Sequence, residues 1–151
     1  MIRTSRLPAF YILITIVAFF TVGCAKTSSI DKEVNAFDKL RTNVQEVVTD
    51  PERAEQSQAL VDELQQVFDD IKDSRIERRD RIRALNADYD ASRAEFETLL
   101  DGIAQDRVAD QERVSQTYRQ LLEVITTEEW AKLAKSRNKA MQAAIKAMQA
   151  I

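Results

Sequence analysis

Residues 86–95, NADYDASRAE, decide the fold of this chain of 151 residues. Their first part holds one Asn and two Asp, which favour caps and turns over the interior of a helix. Their last part, Ser92-Arg93-Ala94-Glu95, is a capping box, in which the Ser caps a new helix and the Glu reaches back to it. The stretch therefore predicts that the chain reverses direction between two helices. One unbroken helix is the alternative, because apolar residues keep a heptad spacing straight through the segment.

The composition on both sides of this stretch indicates helices. The chain has 2 Gly and 2 Pro, and only Pro51 and Gly102 lie beyond its N-terminal segment. Sheets need turns, and turns depend on these residues. Apolar positions form stripes about two wide in every seven, which is typical of a coiled-coil seam. We therefore expect an elongated all-α fold.

About four helices follow from the stripes and their breaks. The first begins near Ser29 and ends before Pro51, since a proline disfavours helix at the residue before it. Gly102 lies inside the third helix, where it marks either a close contact or a weak point. The fourth helix is rich in alanine, which allows close packing. The predicted buried stripe of the first helix consists of Ile30, Val34, Phe37, Leu40, Val44 and Val47.

Two interior helix starts share one pattern, an aliphatic residue, Thr, two residues and then Glu. In this pattern the Thr caps the helix and the Glu completes a capping box. The two predicted pairs lie at similar distances from the reversal, so the two breaks should face each other. The sequence thus predicts an antiparallel helical hairpin, bent once in each arm at the same height. The predicted capping residues are Thr49 with Glu52 and Thr126 with Glu129.

This arrangement resembles the Spy/CpxP family of periplasmic helical proteins, which carries two Leu-Thr-x-x-Gln motifs at corresponding places. Here Val48 and Ile125 replace the Leu, and Glu52 and Glu129 replace the Gln. The resemblance covers most of the chain in layout but only these motifs in residues. It implies an ATP-independent chaperone or an envelope-stress adaptor that works as a homodimer. Members of that family are usually soluble in the periplasm.

The N-terminus resembles a bacterial lipoprotein signal. Two arginines precede an uncharged apolar run over residues 7–22, and small residues precede Cys24. The resemblance implies cleavage after residue 23 and acylation of Cys24, although Thr21 stands where the lipobox usually has Leu. Two alternatives are an uncleaved membrane anchor, for which the run is short, and an ordinary exported thiol. The predicted division is a signal peptide over 1–23, the lipidated Cys and a polar spacer over 24–29, and a helical domain over 30–151.

The expected location is a bacterial membrane, with the protein attached by its acyl chains and facing the periplasm. Ala25 after the Cys resembles the pattern of lipoproteins that are sorted to the outer membrane. A second helix of about 36 residues would span about 54 Å. We therefore expect the tip of the hairpin to lie far from the lipid headgroups.

Several kinds of chemistry lack their usual residues. The chain has no His and only 1 Cys, so the common general base and metal ligands are missing. No glycine-rich loop is present to hold a phosphate, and the net charge of −3 does not suit general binding of nucleic acid. We expect no enzyme activity, no metal and no cofactor.

A cluster of arginines near the predicted tip is the candidate partner-binding site. It comprises Arg75, Arg78, Arg79, Arg81 and Arg83. Arg78 falls where the heptad expects an apolar residue, so the cluster interrupts the seam and would offer cations to envelope proteins or unfolded proteins. The alternative for the cluster is an ordinary solvated helix face. The alternative for the whole protein is a coiled-coil spacer or tether of the cell envelope.

Overall fold

The computed structural model describes residues 28–150, which form four α-helices and no strand. The helices are α1 (Ser29–Val47), α2 (Pro51–Ala87), α3 (Arg93–Val124) and α4 (Thr127–Gln149). The all-α prediction is therefore confirmed. The predictions for the signal segment and Cys24 lie outside the described residues.

The predicted reversal is present at residues 88–92. The side chain of Ser92 accepts a hydrogen bond from the backbone N–H of Glu95, and the Glu95 carboxylate accepts one from the backbone N–H of Ser92 at 2.7 Å. These bonds from Ser92 hold the pKa of Glu95 below its usual value. The capping box thus starts α3 in a new direction, and the alternative of one unbroken helix is excluded.

Contacts between α2 and α3 establish an antiparallel hairpin. The Thr117 hydroxyl lies 3.1 Å from a carboxylate oxygen of Glu63, and a guanidinium nitrogen of Arg113 lies 2.5 Å from a carboxylate oxygen of Asp70. Towards the tip, Arg78 faces Asp110. Along these three pairs the residue numbers on α2 increase while those on α3 decrease, as an antiparallel register requires.

The outer helices fold back along this hairpin. On α1, Glu33 contacts Lys72 at 2.6 Å, and the rings of Phe37 and Phe68 lie with their centroids 6.2 Å apart. Arg41 binds Asp62, nearer the start of α2. The bend at residues 48–50 is therefore a full reversal, and α1 runs antiparallel to the first half of α2.

The bend at residues 125–126 is also a reversal. Trp130 lies edge-on against Tyr118, with 5.3 Å between ring centroids, so α4 returns along the end of α3. The N-terminus of α4 lies beside the start of α2, and α4 then packs along α1. Small side chains allow this close packing, since Ala140, Ala144 and Ala147 are almost completely buried.

The fold has a four-helix part and a two-helix part. We call the four-helix part the body; it contains α1, α4 and residues 51–72 and 110–124. We call the projecting end of the hairpin, residues 73–109, the arm. The packed core lies in the body and consists of Phe37, Leu40, Val44, Val48, Val61, Leu64, Phe68, Leu121, Ile125, Leu133, Ala140 and Ala144.

The predicted caps are confirmed at one outer reversal and wrong at the other. At α4, Thr126 caps the helix and Glu129 completes the box. At α2 the cap is Asp50, whose side chain accepts from the N–H of Arg53, so Thr49 and Glu52 form no box. Pro51 explains the shift, because a proline fits the first helical position and makes the residue before it the cap.

The predicted stripe of α1 is wrong at its start. Ile30 and Val34 are 54% and 42% exposed, whereas Glu33 is 1% exposed. The buried row continues through Phe37 and Leu40. An acidic side chain thus occupies a position of the seam, because Lys72 on α2 neutralises it. α1 also begins at Ser29, and its cap is Ser28.

The folding back of α1 changes the expected orientation of the tip. Because Glu33 lies beside Lys72, the N-terminus of α1 lies where the body meets the arm, and it points in the same direction as the arm. The expected distance between the tip and the headgroups assumed that the hairpin leads away from the start of α1, whereas the structure places both on the same side of the body. Gly102, in turn, marks no close contact, since a Cβ there would have no atom within 4 Å.

An ion pair joins the two outer reversals. The guanidinium nitrogens of Arg53 lie 2.7 and 3.0 Å from the carboxylate oxygens of Glu129, and one of them also donates to the carbonyl oxygen of Val124 at 3.2 Å. The same carboxylate accepts bonds from the N–H and the hydroxyl of Thr126. The hydrogen bond from Arg53, followed by those from Thr126, lowers the pKa of Glu129 to about 2.

We predict that Glu129→Gln lowers the free energy of unfolding by about 1–3 kcal/mol at pH 7, because it removes a charge-assisted bidentate contact. Because the pKa of Glu129 is low, the ionised carboxylate stabilises the fold at pH values above 4.5, the ordinary pKa of Glu. This stabilisation is lost as the pH falls towards about 2. The wild type should lose stability over that window, and the variant should lose less. Urea denaturation followed by circular dichroism at several pH values measures both effects.

The matched control is Glu95→Gln, in a capping box of the same form without an arginine partner. At pH 7, Glu95→Gln should lower the free energy of unfolding by less than Glu129→Gln does. Equal losses in the two variants would show that Arg53 adds nothing to the stability of the outer reversals.

Candidate functional site: an arginine-lined groove on the arm

Arginines from both helices of the arm surround one groove. On α2, Arg75, Arg79 and Arg83 are four residues apart and therefore share a face. Arg107 joins them from α3. The groove has a volume of about 530 Å³, and its apolar lining is Ile71, Ile82 and Ile103. The structure thus brings together most of the predicted cluster.

Arg78 also borders this groove, but it belongs to the interior of the hairpin. It is 6% exposed. Its guanidinium nitrogens lie 3.3 Å from a carboxylate oxygen of Asp110 and 3.7 Å from one of Asp106. The expectation that Arg78 offers a cation to a partner is therefore wrong, because two aspartates on α3 neutralise it.

The remaining arginines leave the groove positively charged. Arg79 and Arg83 both lie beside Asp80, at 3.6 and 3.5 Å. Within residues 28–150, Arg75 and Arg107 have no ion pair. A guanidinium offers planar pairs of N–H donors that match a carboxylate or a phosphate. The groove therefore suits an anionic group attached to an apolar one.

Arg81 lies apart from the other arginines, beside a second and more open groove of about 770 Å³ near the tip. That groove runs over the seam of the arm, where Leu85 and Leu99 are only half-buried. Tyr89, in the turn itself, is fully exposed. The tip thus combines apolar and aromatic surface with charge.

Sequence reasoning missed two features of the arm and its junction with the body. Arg107 is isolated in the sequence, and only the register that sets Arg78 opposite Asp110 brings it to the groove. The second feature is Lys72, which bonds both Glu33 and Asp69 at 2.6 Å. Burial lowers the pKa of Lys72, but the bonds to these two carboxylates outweigh burial and raise it overall.

Other kinds of site are not seen in this part of the chain. Over residues 28–150, no group of three or more potential ligands lies close enough together to hold a metal ion. None of the four helices is long and apolar enough to cross a membrane.

No protein-family model, curated protein or solved structure matches this chain. The likeness to the Spy/CpxP family therefore remains a resemblance of layout and of two short motifs. Of these motifs, the one at Thr126 and Glu129 forms the expected capping box, and the one at Thr49 and Glu52 does not.

We predict that Arg78→Gln lowers the free energy of unfolding by about 2–4 kcal/mol, because it leaves two aspartates of the hairpin without their cation. Arg75→Gln removes the same charge from an exposed position and should change it by less than about 0.5 kcal/mol. Both values come from urea denaturation.

A second variant separates charge from packing. Arg78→Met together with Asp110→Leu replaces the pair by apolar side chains and should recover much of the lost stability. If Arg78→Gln is as mild as Arg75→Gln, Arg78 is not the internal ion-pair partner described above.

Proposed function

We propose that this chain is a lipid-anchored interaction protein of the bacterial envelope, without catalytic activity, whose arm binds other proteins in a Spy/CpxP-like manner. The action is that of an ATP-independent chaperone or an envelope-stress adaptor. The observation that carries the proposal is the arm: two helices with a half-open apolar seam, flanked by an arginine-lined groove.

The contrast between the body and the arm supports this proposal. Four helices enclose the core of the body, whereas two helices alone cannot cover the apolar residues of the arm. Ile82, Phe96 and Leu99 remain partly exposed there, and Ile103 is the buried apolar residue between them. Apolar surface next to the guanidinium groups of Arg75 and Arg107 suits partly unfolded proteins, which expose both apolar and acidic side chains.

The oligomeric state that we propose is a homodimer. Its support is an exposed apolar row on the outer face of α3, where Leu100 and Val108 project from the arm and Leu122 from the body. Single exposed apolar residues are common, but these three lie within about a quarter of the helix circumference, since successive residues turn by about 100°. A second copy of the chain is the occupant we assign to this row.

The alternative of a spacer or tether gains little from the fold. α1 returns along α2, so the body extends only about 28 Å from the start of α1. A protein that served by its length would keep its helices end to end. The three reversals instead fold the chain into a packed body and an arm.

The anchor has its own test. Metabolic labelling with a radioactive fatty acid should mark the wild type, because the segment before Cys24 resembles a lipoprotein signal. Cys24→Ala removes the only thiol of the chain and should carry no label. Label retained by Cys24→Ala would contradict acylation at that residue.

The binding activity can be tested in solution without a membrane. Residues 25–151 should slow the aggregation of an unfolding model protein without ATP, and added salt should weaken the effect because it screens the arginines. Replacing Arg75, Arg79, Arg81 and Arg83 by Gln should weaken protection while helicity is kept, since Gln and Arg have similar helix propensities. Light scattering at stoichiometric excess measures protection.

The matched control carries Lys39→Gln, Lys132→Gln, Lys135→Gln and Lys139→Gln, an equal loss of charge at exposed positions of the body. It should protect as well as the wild type. If the wild-type domain gives no protection at low salt, the chaperone proposal fails and the spacer becomes the better explanation.

A further inference from the structure

We infer that the arm lies on the surface of the membrane that carries the anchor, and that its arginine-lined groove binds the phosphates of anionic lipid headgroups. The inference rests on the proposed attachment at Cys24 and adds a lipid ligand for the arm. It follows from the direction and lengths of α1 and α2 and from the chemistry of one end of the molecule.

A fully extended spacer would bring Cys24 to about the height of the tip. From the contact between Glu33 and Lys72, α2 rises about 24 Å to its last turn, at 1.5 Å per residue. From the same level α1 rises about 8 Å to Ser28 in that direction. The chain between Ser28 and Cys24 adds at most about 14 Å. A membrane that holds Cys24 therefore lies within a few ångströms of the tip, or closer to the body if the spacer is less extended.

The opposite orientation is excluded by length. If the arm pointed straight away from the membrane, the body would stand between the start of α1 and the lipid. The body extends about 28 Å in that direction, since α1 has 19 residues. A spacer of about 14 Å cannot span that distance. An anchored chain must therefore stand with its arm towards the membrane or lie along its surface.

The side chains at this end suit a headgroup layer. Ile30 and Val34 on α1 are exposed where the body meets the arm. Ile145, near the end of α4, is also exposed, and α4 runs towards the same end of the body. Tyr89 is fully exposed in the turn, and tyrosine favours the level of the headgroups. Exposed apolar and aromatic side chains thus lie both where the body meets the arm and at the tip.

The groove supplies the polar half of the contact. Arg75 and Arg107 come from different helices, have no ion pair among residues 28–150, and flank apolar side chains that include Ile82 and Ile103. Arginine donates two parallel bonds to a phosphate. An acidic protein segment would satisfy the same donors, but a membrane that holds Cys24 lies within reach of the arm, which favours lipid.

The experiment measures which end of the anchored molecule meets the bilayer. Residues 24–151 are coupled through the thiol of Cys24, the only cysteine, to a maleimide-bearing lipid in phosphatidylglycerol-containing vesicles. This coupling does not depend on acylation in the cell. In a Trp130→Phe background, which removes the only tryptophan, Tyr89→Trp reports the tip and Gln56→Trp the far end of the body. A lipid with a nitroxide on its headgroup quenches whichever tryptophan lies at the surface.

We expect strong quenching of the tryptophan at position 89 and little at position 56, which lies about 50 Å away near the start of α2. In the variant with Arg75, Arg79, Arg83 and Arg107 all changed to Gln, quenching at the tip should fall to the level found in neutral phosphatidylcholine vesicles. The control variant, with Gln at Lys39, Lys132, Lys135 and Lys139, should keep the strong quenching at the tip. Circular dichroism verifies that both sets of variants remain helical.

Little quenching at position 89 would overturn the inference, and so would full quenching at the tip after loss of the four arginines. Binding of an acidic peptide by residues 25–151 in solution, without quenching at the tip on vesicles, would assign the groove to a protein instead. The protection assay contains no lipid, so its failure and the failure of this inference are separate results.

Discussion

The carboxylate of Glu129 joins the two outer reversals of a chain that reverses three times. It completes the cap of α4, accepts two bonds from Arg53 at the start of α2, and lies where the two outer reversals meet. One side chain thus fixes the start of α4 and its position on α2 together. This contact aligns the four helices at one end of the bundle. Because α2 and α3 are longer than α1 and α4, they extend beyond the other end of the bundle and form the arm.

Local signals in the sequence predicted the helices and their ends, because caps depend on neighbouring residues. Ser92 with Glu95 and Thr126 with Glu129 behave as their spacing predicts. The sharpness of the outer bends was not predictable in this way. A break in a helix specifies that the chain turns but not by how much, and the angle depends on whether α1 and α4 find apolar surface to cover. Pro51 shifted one cap by a residue and shows how a single ring changes a local motif.

The interior ion pairs were harder to predict. The stripe of α1 was expected to bury Ile30 and Val34 and not Glu33, and Arg78 looked like a cation offered to a partner. Both Glu33 and Arg78 are buried against a partner on another helix, Lys72 for Glu33 and Asp110 for Arg78. A charge on a seam is recognised as structural only once the register of the opposing helix is known. These pairs also restrict register, since a slip of one turn would leave a charge without its partner in the seam.

The contact between α1 and α4 has a consequence for biosynthesis. These helices are the first and the last of the described chain, and the alanines of α4 cover the apolar face of α1. Contacts between residues so far apart in sequence form late, because closing the long loop costs entropy before any contact offsets it. While the chain leaves the ribosome, the buried row of α1 has no complete partner until the last helix emerges. The core therefore cannot close until synthesis is nearly complete.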